Sequence, residues 1–215
     1  MNHTNKDELI ASIAQGFASR LNLNGIDLSG VDLSNANLSG INLIEANFSG
    51  SKLNNIDLSS SYLYKANFSN ADLSEANLSG AYLYGVNFKS TILSGLNLRD
   101  INLSKANLSE ANLSGADLSQ ANLYGANLYK VNLCKAYLVR ANLNGADLNR
   151  ANLIEADLTL SDLRYSNLSE ANMSFANLSD TQVDFANLID VEGLSNDVLE
   201  QLKKKGAIIK LLNSY

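Results

Sequence analysis

Side chains that could do chemistry are few in this chain, and they do not gather. His3 is the only histidine among 215 residues. A single imidazole argues against Ser-His-Asp or Cys-His catalysis and against a histidine-ligated zinc. Cys134 is the only cysteine, which excludes an internal disulfide and fits a reducing compartment. It occupies a position where serine is the usual residue and is read as a serine substitute. Carboxylates are numerous but scattered, with no spacing that marks a general acid and base pair. No glycine-rich phosphate loop, zinc spacing or calcium loop occurs. Several Asn-Leu-Ser triplets match a glycosylation pattern, yet they recur as part of a longer regularity and no secretion signal precedes them. With four threonines the chain offers no flat Thr lattice to ice. One group remains. Tyr62, Tyr64, Tyr82, Tyr84 and Tyr124 are five of the nine tyrosines, and the first four form two pairs of equal spacing, Tyr62 with Tyr82 and Tyr64 with Tyr84. Tyrosine supplies contact area and a polar tip at low entropic cost, which is interface chemistry rather than catalysis.

What must position these tyrosines is a five-residue repeat. From Leu21 to Asp190 the chain runs through 34 pentapeptides without a break. Every position ending in 3 or 8, from Leu23 to Leu188, is large and apolar: 29 Leu, three Phe, Met173 and Val183. Two residues before each of these centres stands a small or apolar residue, Ala in 19 cases, and one residue before stands Asn or Asp in 28. A helix would spiral the leucines over every face, and a flat strand would send successive leucines to opposite sides. A coil that turns a corner at each repeat keeps all the centres inward. Phe48, Phe68 and Phe88 recur at every fourth pentapeptide, and the same interval separates Tyr62 from Tyr82 and Tyr64 from Tyr84. Four pentapeptides bring each set into vertical register, so the coil has four sides.

Units such as Ala71-Asp72-Leu73-Ser74-Glu75, Ala111-Asn112-Leu113-Ser114-Gly115 and Ala116-Asp117-Leu118-Ser119-Gln120 resemble the pentapeptide-repeat proteins. The resemblance covers about four-fifths of the chain. It implies an all-β solenoid, a right-handed quadrilateral β-helix of about 8.5 coils; the handedness comes from the family alone. At a spacing of about 4.8 Å per coil the rod is roughly 41 Å long. Asn and Asp are expected to bond neighbouring backbone and to suit the corners by tolerating left-handed backbone. Ten of the 13 glycines lie two residues after a centre, where they fit a turn of positive φ. The absence of proline fits a fold that needs nearly every N–H between coils.

Three segments follow: a capping helix in residues 1–20, the β-helix in 21–190, and a second helical cap with a tail in 191–215. In the first, residues 5–19 form an amphipathic helix with Leu9, Ile10, Ile13 and Phe17 on one face and Thr4 as N-cap. In the last, Ser195 caps a helix of about residues 196–205 with Val198, Leu199 and Leu202 on its apolar side. Lys203, Lys204 and Lys205 suit its C-terminal end, Gly206 follows as a stop, and Ala207–Leu212 adds a short strand. Bare solenoid ends expose core and unpaired edges, so both caps are required.

The formal charge is −6. The repeat segment holds 17 acids and 10 bases, interspersed, as in the column Glu110, Lys130, Arg150 and Glu170. A general affinity for nucleic acid is therefore not expected. No apolar run is long enough to cross a membrane. The expectation is a cytoplasmic, non-enzymatic, rigid scaffold without cofactor or metal. It binds an unidentified protein partner through one face, with Tyr62, Tyr64, Tyr82, Tyr84 and Tyr124 as the contact patch. It is a monomer or a dimer joined at the C-terminal end. The resemblance implies one alternative, an acidic mimic of duplex DNA that binds DNA gyrase.

Overall fold

The computed structural model describes residues 3–14 and 22–209. The chain enters through helix α1 (His3–Ala14), winds as a four-sided, right-handed β-helix, and closes with helix α2 (Asn196–Lys204). From Asp27 with Asn47 to Asn172 with Glu192, the residue before each centre pairs in parallel with its counterpart one coil further on, save Asn77 with Asn97. Each flat side contributes one bridging residue, because a single pentapeptide must both cross a side and turn a corner.

The corner is made by the residue two after the centre, which is left-handed with φ near +60° in every repeat. Glycine fills that position in ten repeats; elsewhere residues as large as Leu160, Tyr165 and Phe175 adopt it. The expectation that Asn and Asp supply left-handed corners is therefore corrected. Their work is to hold the backbone beside the corner. Asn47 Oδ1 accepts the Ser49 N–H at 3.1 Å and Asp57 Oδ1 accepts that of Ser59 at 3.0 Å. Asparagines also bond each other between coils: Asn67 Nδ2 donates to Asn47 Oδ1 at 3.0 Å, Asn87 to Asn67 at 2.8 Å, and Asn107 to Asn87 at 3.0 Å. The side chain that protects one coil thus ties it to the next.

Leucine centres fill the interior, and Phe48, Phe68 and Phe88 stack as their spacing requires. Phe48 and Phe68 lie 4.9 Å apart and nearly parallel, at 4°. Phe68 and Phe88 are 5.3 Å apart and tilted by 30°. Polar residues at the other inward position are bonded to backbone carbonyls, except Ser161, whose buried hydroxyl has no partner. Ser51 Oγ donates to Leu28 O and Thr91 Oγ1 to Phe68 O, each at 2.7 Å.

At the first end, Ile13 of α1 is buried in the core, and Leu9 and Ile10 pack against it. Thr4 takes helical backbone, which an N-cap residue does not, so capping does not fall to it. Phe17 lies outside the described residues. At the other end, Ser195 caps α2 and accepts the Val198 N–H at 3.4 Å; Leu202 is buried. Beyond Gly206, Ile208 pairs with Asn187 and closes the last side; residues 210–212 of the expected strand lie outside the described residues.

Between Gly25 and Met173 the backbone ladder lapses at one place. The N–H groups of Glu75, Leu78, Gly80 and Leu83 donate to no carbonyl of the coil above, and those of Asn97 and Asn102 donate to none below. The pairing of Asn77 with Asn97 is missing from the series, whereas Tyr82 and Asn102 keep their parallel register without a hydrogen bond of ordinary length. Each half stays attached on its far side. Tyr82 N–H reaches Ser61 O at 2.9 Å, and Leu98 N–H reaches Asp117 O at 2.7 Å. The cause is legible in the core. The four inward small positions of this coil are Val86, Thr91, Leu96 and Ile101. The coils below and above carry alanine at all four: Ala66, Ala71, Ala76 and Ala81, then Ala106, Ala111, Ala116 and Ala121. Extra methylenes in a filled layer force backbone shifts, and here two sides separate. The tilt between Phe68 and Phe88, across the same pair of coils, is a second sign of the strain.

Candidate protein-binding face

The tyrosines stand on the side whose centres are Leu63, Leu83 and Leu123. A residue next to a centre points out when the centre points in, so replacing Asn or Ser with Tyr places a ring on the surface. Tyr62 and Tyr82 stack 4.9 Å apart at 3°, and Tyr64 and Tyr84 stack 5.6 Å apart at 5°. The structure therefore brings four of the five together as two parallel ladders, two coils high. Tyr82 is the most exposed of the group at 57% and Tyr64 the least at 38%. Tyr124 is set apart from Tyr84 by the coil carrying the buried Ser104. Lysines border the patch: Lys65 Nζ lies 5.0 Å from the Tyr64 ring centroid, and Lys105 Nζ 4.8 Å from that of Tyr124. Lys105 runs along the glycine corner at Gly125, where an added Cβ would collide with its Nζ.

Where the ladder lapses, a cleft of about 380 Å³ opens at the upper edge of this patch. Gly80, Tyr82 and Tyr84 form one lip, and Arg99, Asp100 and Asn102 the other. Arg99 is turned to the coil above, its Nη1 at 3.1 Å from Asp117 Oδ2. Sequence reasoning did not find this cleft. Its signal is a single coil with neither alanine nor serine at its inward small positions. Exposed aromatics at the far end were missed as well. Tyr165 stacks on Phe185 at 5.2 Å, and Phe175 is 86% exposed. The first pair is spaced by one full coil and was open to the same arithmetic as the tyrosines.

Surface charge is arranged in small neutralised groups. Arg150 Nε lies 2.8 Å from Glu170 Oε2, and Lys135 Nζ 3.7 Å from Glu155 Oε2. The hydrogen bond from Arg150 holds the Glu170 carboxyl below its ordinary pKa. In the column Glu110–Lys130–Arg150–Glu170, Lys130 turns away to the ring of its neighbour Tyr129, 5.3 Å from the centroid, and Ser90 donates to Glu110 at 3.1 Å. Among the described residues no group of three or more His, Cys, Asp or Glu is placed to hold a metal. Nor is any helix among them long and apolar enough to cross a membrane.

The comparisons with known proteins agree with this architecture. The family model for pentapeptide repeats matches eight copies in segments that together run from residue 19 to residue 191. HetL, a pentapeptide repeat protein involved in heterocyst differentiation regulation in the cyanobacterium Nostoc sp. strain PCC 7120, is 30% identical. That match covers 87% of this chain and 98% of HetL, with a TM-score of 0.45. A trypsin-treated form of QnrB1, a plasmid-mediated fluoroquinolone resistance protein, is 19% identical over 84% of this chain and 95% of its own, with a TM-score of 0.53. A pentapeptide repeat protein of the Arabidopsis thaliana thylakoid lumen is 28% identical over 54% of this chain and 81% of its own, with a TM-score of 0.35. Among curated proteins none matches the sequence. A five-residue register held for 34 units, a rung of four units and a family match across nearly all of the repeat segment lead to one conclusion: the chain belongs to the pentapeptide-repeat family.

Proposed function

We propose that the protein is a rigid, non-enzymatic scaffold that engages a protein partner through the face bearing Tyr62, Tyr64, Tyr82 and Tyr84, with Tyr124 at its margin. The observation that supports this reading is the pair of parallel tyrosine ladders, each ring at least 38% exposed, on two coils joined below the cleft by backbone bonds such as Leu63 N–H to Tyr82 O. A stacked ring has already given up its rotamer freedom, so little further ordering cost attends binding. Tyrosines clustered at the centre of a patch are the residues that dominate interface energetics. No catalytic residue, cofactor or metal enters this reading.

The test is the double substitution Tyr64→Ser with Tyr84→Ser, which restores the repeat consensus at both positions. A partner captured from the host should bind this variant at least about 10-fold more weakly, the loss of hot-spot contacts. Equal binding would reduce the ladders to a structural device. The alternative of a gyrase-binding DNA mimic calls for a surface of one sign, and the charged pairs here alternate. A supercoiling assay with DNA gyrase, with and without a fluoroquinolone, separates the two. The scaffold reading expects no change in either arm.

A further inference from the structure

The cleft above Tyr82 holds an unusual set of groups. The Tyr62–Tyr82 ladder advances by 4.9 Å per coil and then ends, because the next residue in the column is Asn102. A planar group in the cleft would be the next rung. On the opposite lip Arg99 is neutralised by Asp117, which leaves Asp100 as the uncompensated charge there. Between the lips, the carbonyls of Ala81, Arg99 and Asn102 accept no backbone hydrogen bond across the split. The N–H groups of Gly80, Leu83 and Asn102 are freed with them, so the split offers backbone acceptors and donors in equal number. The free backbone groups serve a donor or an acceptor alike; the aromatic face and the carboxylate are what favour a planar cation with N–H donors.

We infer that this cleft receives an arginine side chain of the protein partner. Its guanidinium lies on the Tyr82 ring as the third rung of the ladder, and its charge faces Asp100. The inference rests on the tyrosine face being the partner-binding surface. A guanidinium is planar, stacks on aromatic faces and presents five N–H donors, so it meets all three features at once. A lysine ammonium meets the carboxylate but has no plane to stack. An aromatic side chain meets the ring but leaves the carbonyls and Asp100 without a donor. A phosphate or carboxylate is repelled by Asp100. The negative charge of the whole chain, −6, favours approach of a basic segment as well.

The experiment is an amide NMR titration of the full-length protein with Nα-acetyl-arginine N-methylamide, set beside the lysine and norleucine analogues. The arginine probe should shift the amides of Gly80–Tyr84 and Arg99–Asn102 in a saturable way. Lysine should bind about 3-fold more weakly or worse, and norleucine should leave these amides unmoved. Asp100→Asn, an exposed corner substitution, should weaken arginine by about 3-fold or more, and Tyr82→Asn should do the same. Shifts spread over the acidic surface, equal binding of the three probes, or an unchanged response in Asp100→Asn would overturn the inference. Failure of this reading is distinct from failure of the face. A partner that loses affinity for the Tyr64→Ser, Tyr84→Ser variant but not for Asp100→Asn leaves the face standing and removes the arginine. Saturable arginine binding alongside a partner indifferent to all these substitutions removes the face and leaves the cleft.

Discussion

Two adjacent coils, residues 86–105 and 106–125, obey the same repeat and behave differently. Both have apolar centres throughout, and Asn or Asp before nearly every centre. The second carries alanine at all four inward small positions, and its inter-coil hydrogen bonds are complete above and below. The first carries Val86, Thr91, Leu96 and Ile101, and two of its sides have parted from the coil beneath. The centres set the register of the solenoid; the residue two before each centre sets whether neighbouring coils can close. One layer of excess volume between two alanine layers is enough to open a cleft beside the tyrosine face.

The largest test of this contrast lies in the phenylalanine stack. Phe68→Ala should cost about 3–5 kcal/mol in chemical denaturation, because its layer has no spare volume to fill the cavity. Phe88→Ala should cost roughly 1 kcal/mol less, since the overfilled coil can settle into the vacated space. Equal costs would mean that the coil of residues 86–101 is not strained.

Hydrogen exchange gives the next effect. The amides of Leu78 and Leu83 face the lapse, whereas those of Leu118 and Leu123 donate to Tyr137 O and Asn142 O at 2.7 Å. The first pair should exchange about 10- to 100-fold faster than the second under native conditions. Similar protection would deny that the ladder is open.

Relieving the excess volume sharpens the comparison further. Leu96→Ala combined with Ile101→Ala places alanine at the inward small positions of the two parted sides. Ordinary core truncations of this kind cost about 2–5 kcal/mol each. Here the pair together should cost less than about 2 kcal/mol, because closing the coils recovers hydrogen bonds and packing. The same variant should raise the protection of Leu78 and Leu83. A full additive loss with no gain in protection would locate the cause of the split elsewhere.

The smallest effect belongs to a pair in the regular region. Arg164 holds Asp162 through Nε at 2.9 Å and Nη2 at 2.7 Å, and this hydrogen bonding lowers the Asp162 carboxyl below its ordinary value. A carboxylate lowered in the folded state contributes stability above its unfolded pKa and loses it as pH falls through the folded value. Asp162→Asn should therefore flatten the acid limb of the stability profile slightly and leave the cleft amides unchanged. Any change at Leu78 or Leu83 would show that the two regions are coupled.

How much of this was legible before the structure follows from the repeat itself. In a solenoid of fixed period the residue number alone gives side and height. The Phe48–Phe68–Phe88 stack, the two tyrosine ladders and the four sides were therefore readable from spacing. Ser195 as a cap was readable because a cap depends on a few adjacent residues. The corner was not. Asn and Asp have the chemistry of left-handed residues, yet the turn falls further along each repeat, two positions past the centre, where lysine, glutamate or even Phe175 accepts the conformation. The demand comes from the closed path of the coil, and local preference yields to it.

Sequence determined what each layer contains. Only the tertiary structure decided how the layers meet. Leu96 and Ile101 are visible as departures from alanine, but a departure of similar size, Ile56, is absorbed with its ladder intact. Whether volume is absorbed or opens a cleft depends on the summed side chains of three successive coils and on which backbone bonds give way first. That sum is a property of packing in space, so the cleft with Asp100 and Tyr82 at its lips belonged to the structure alone.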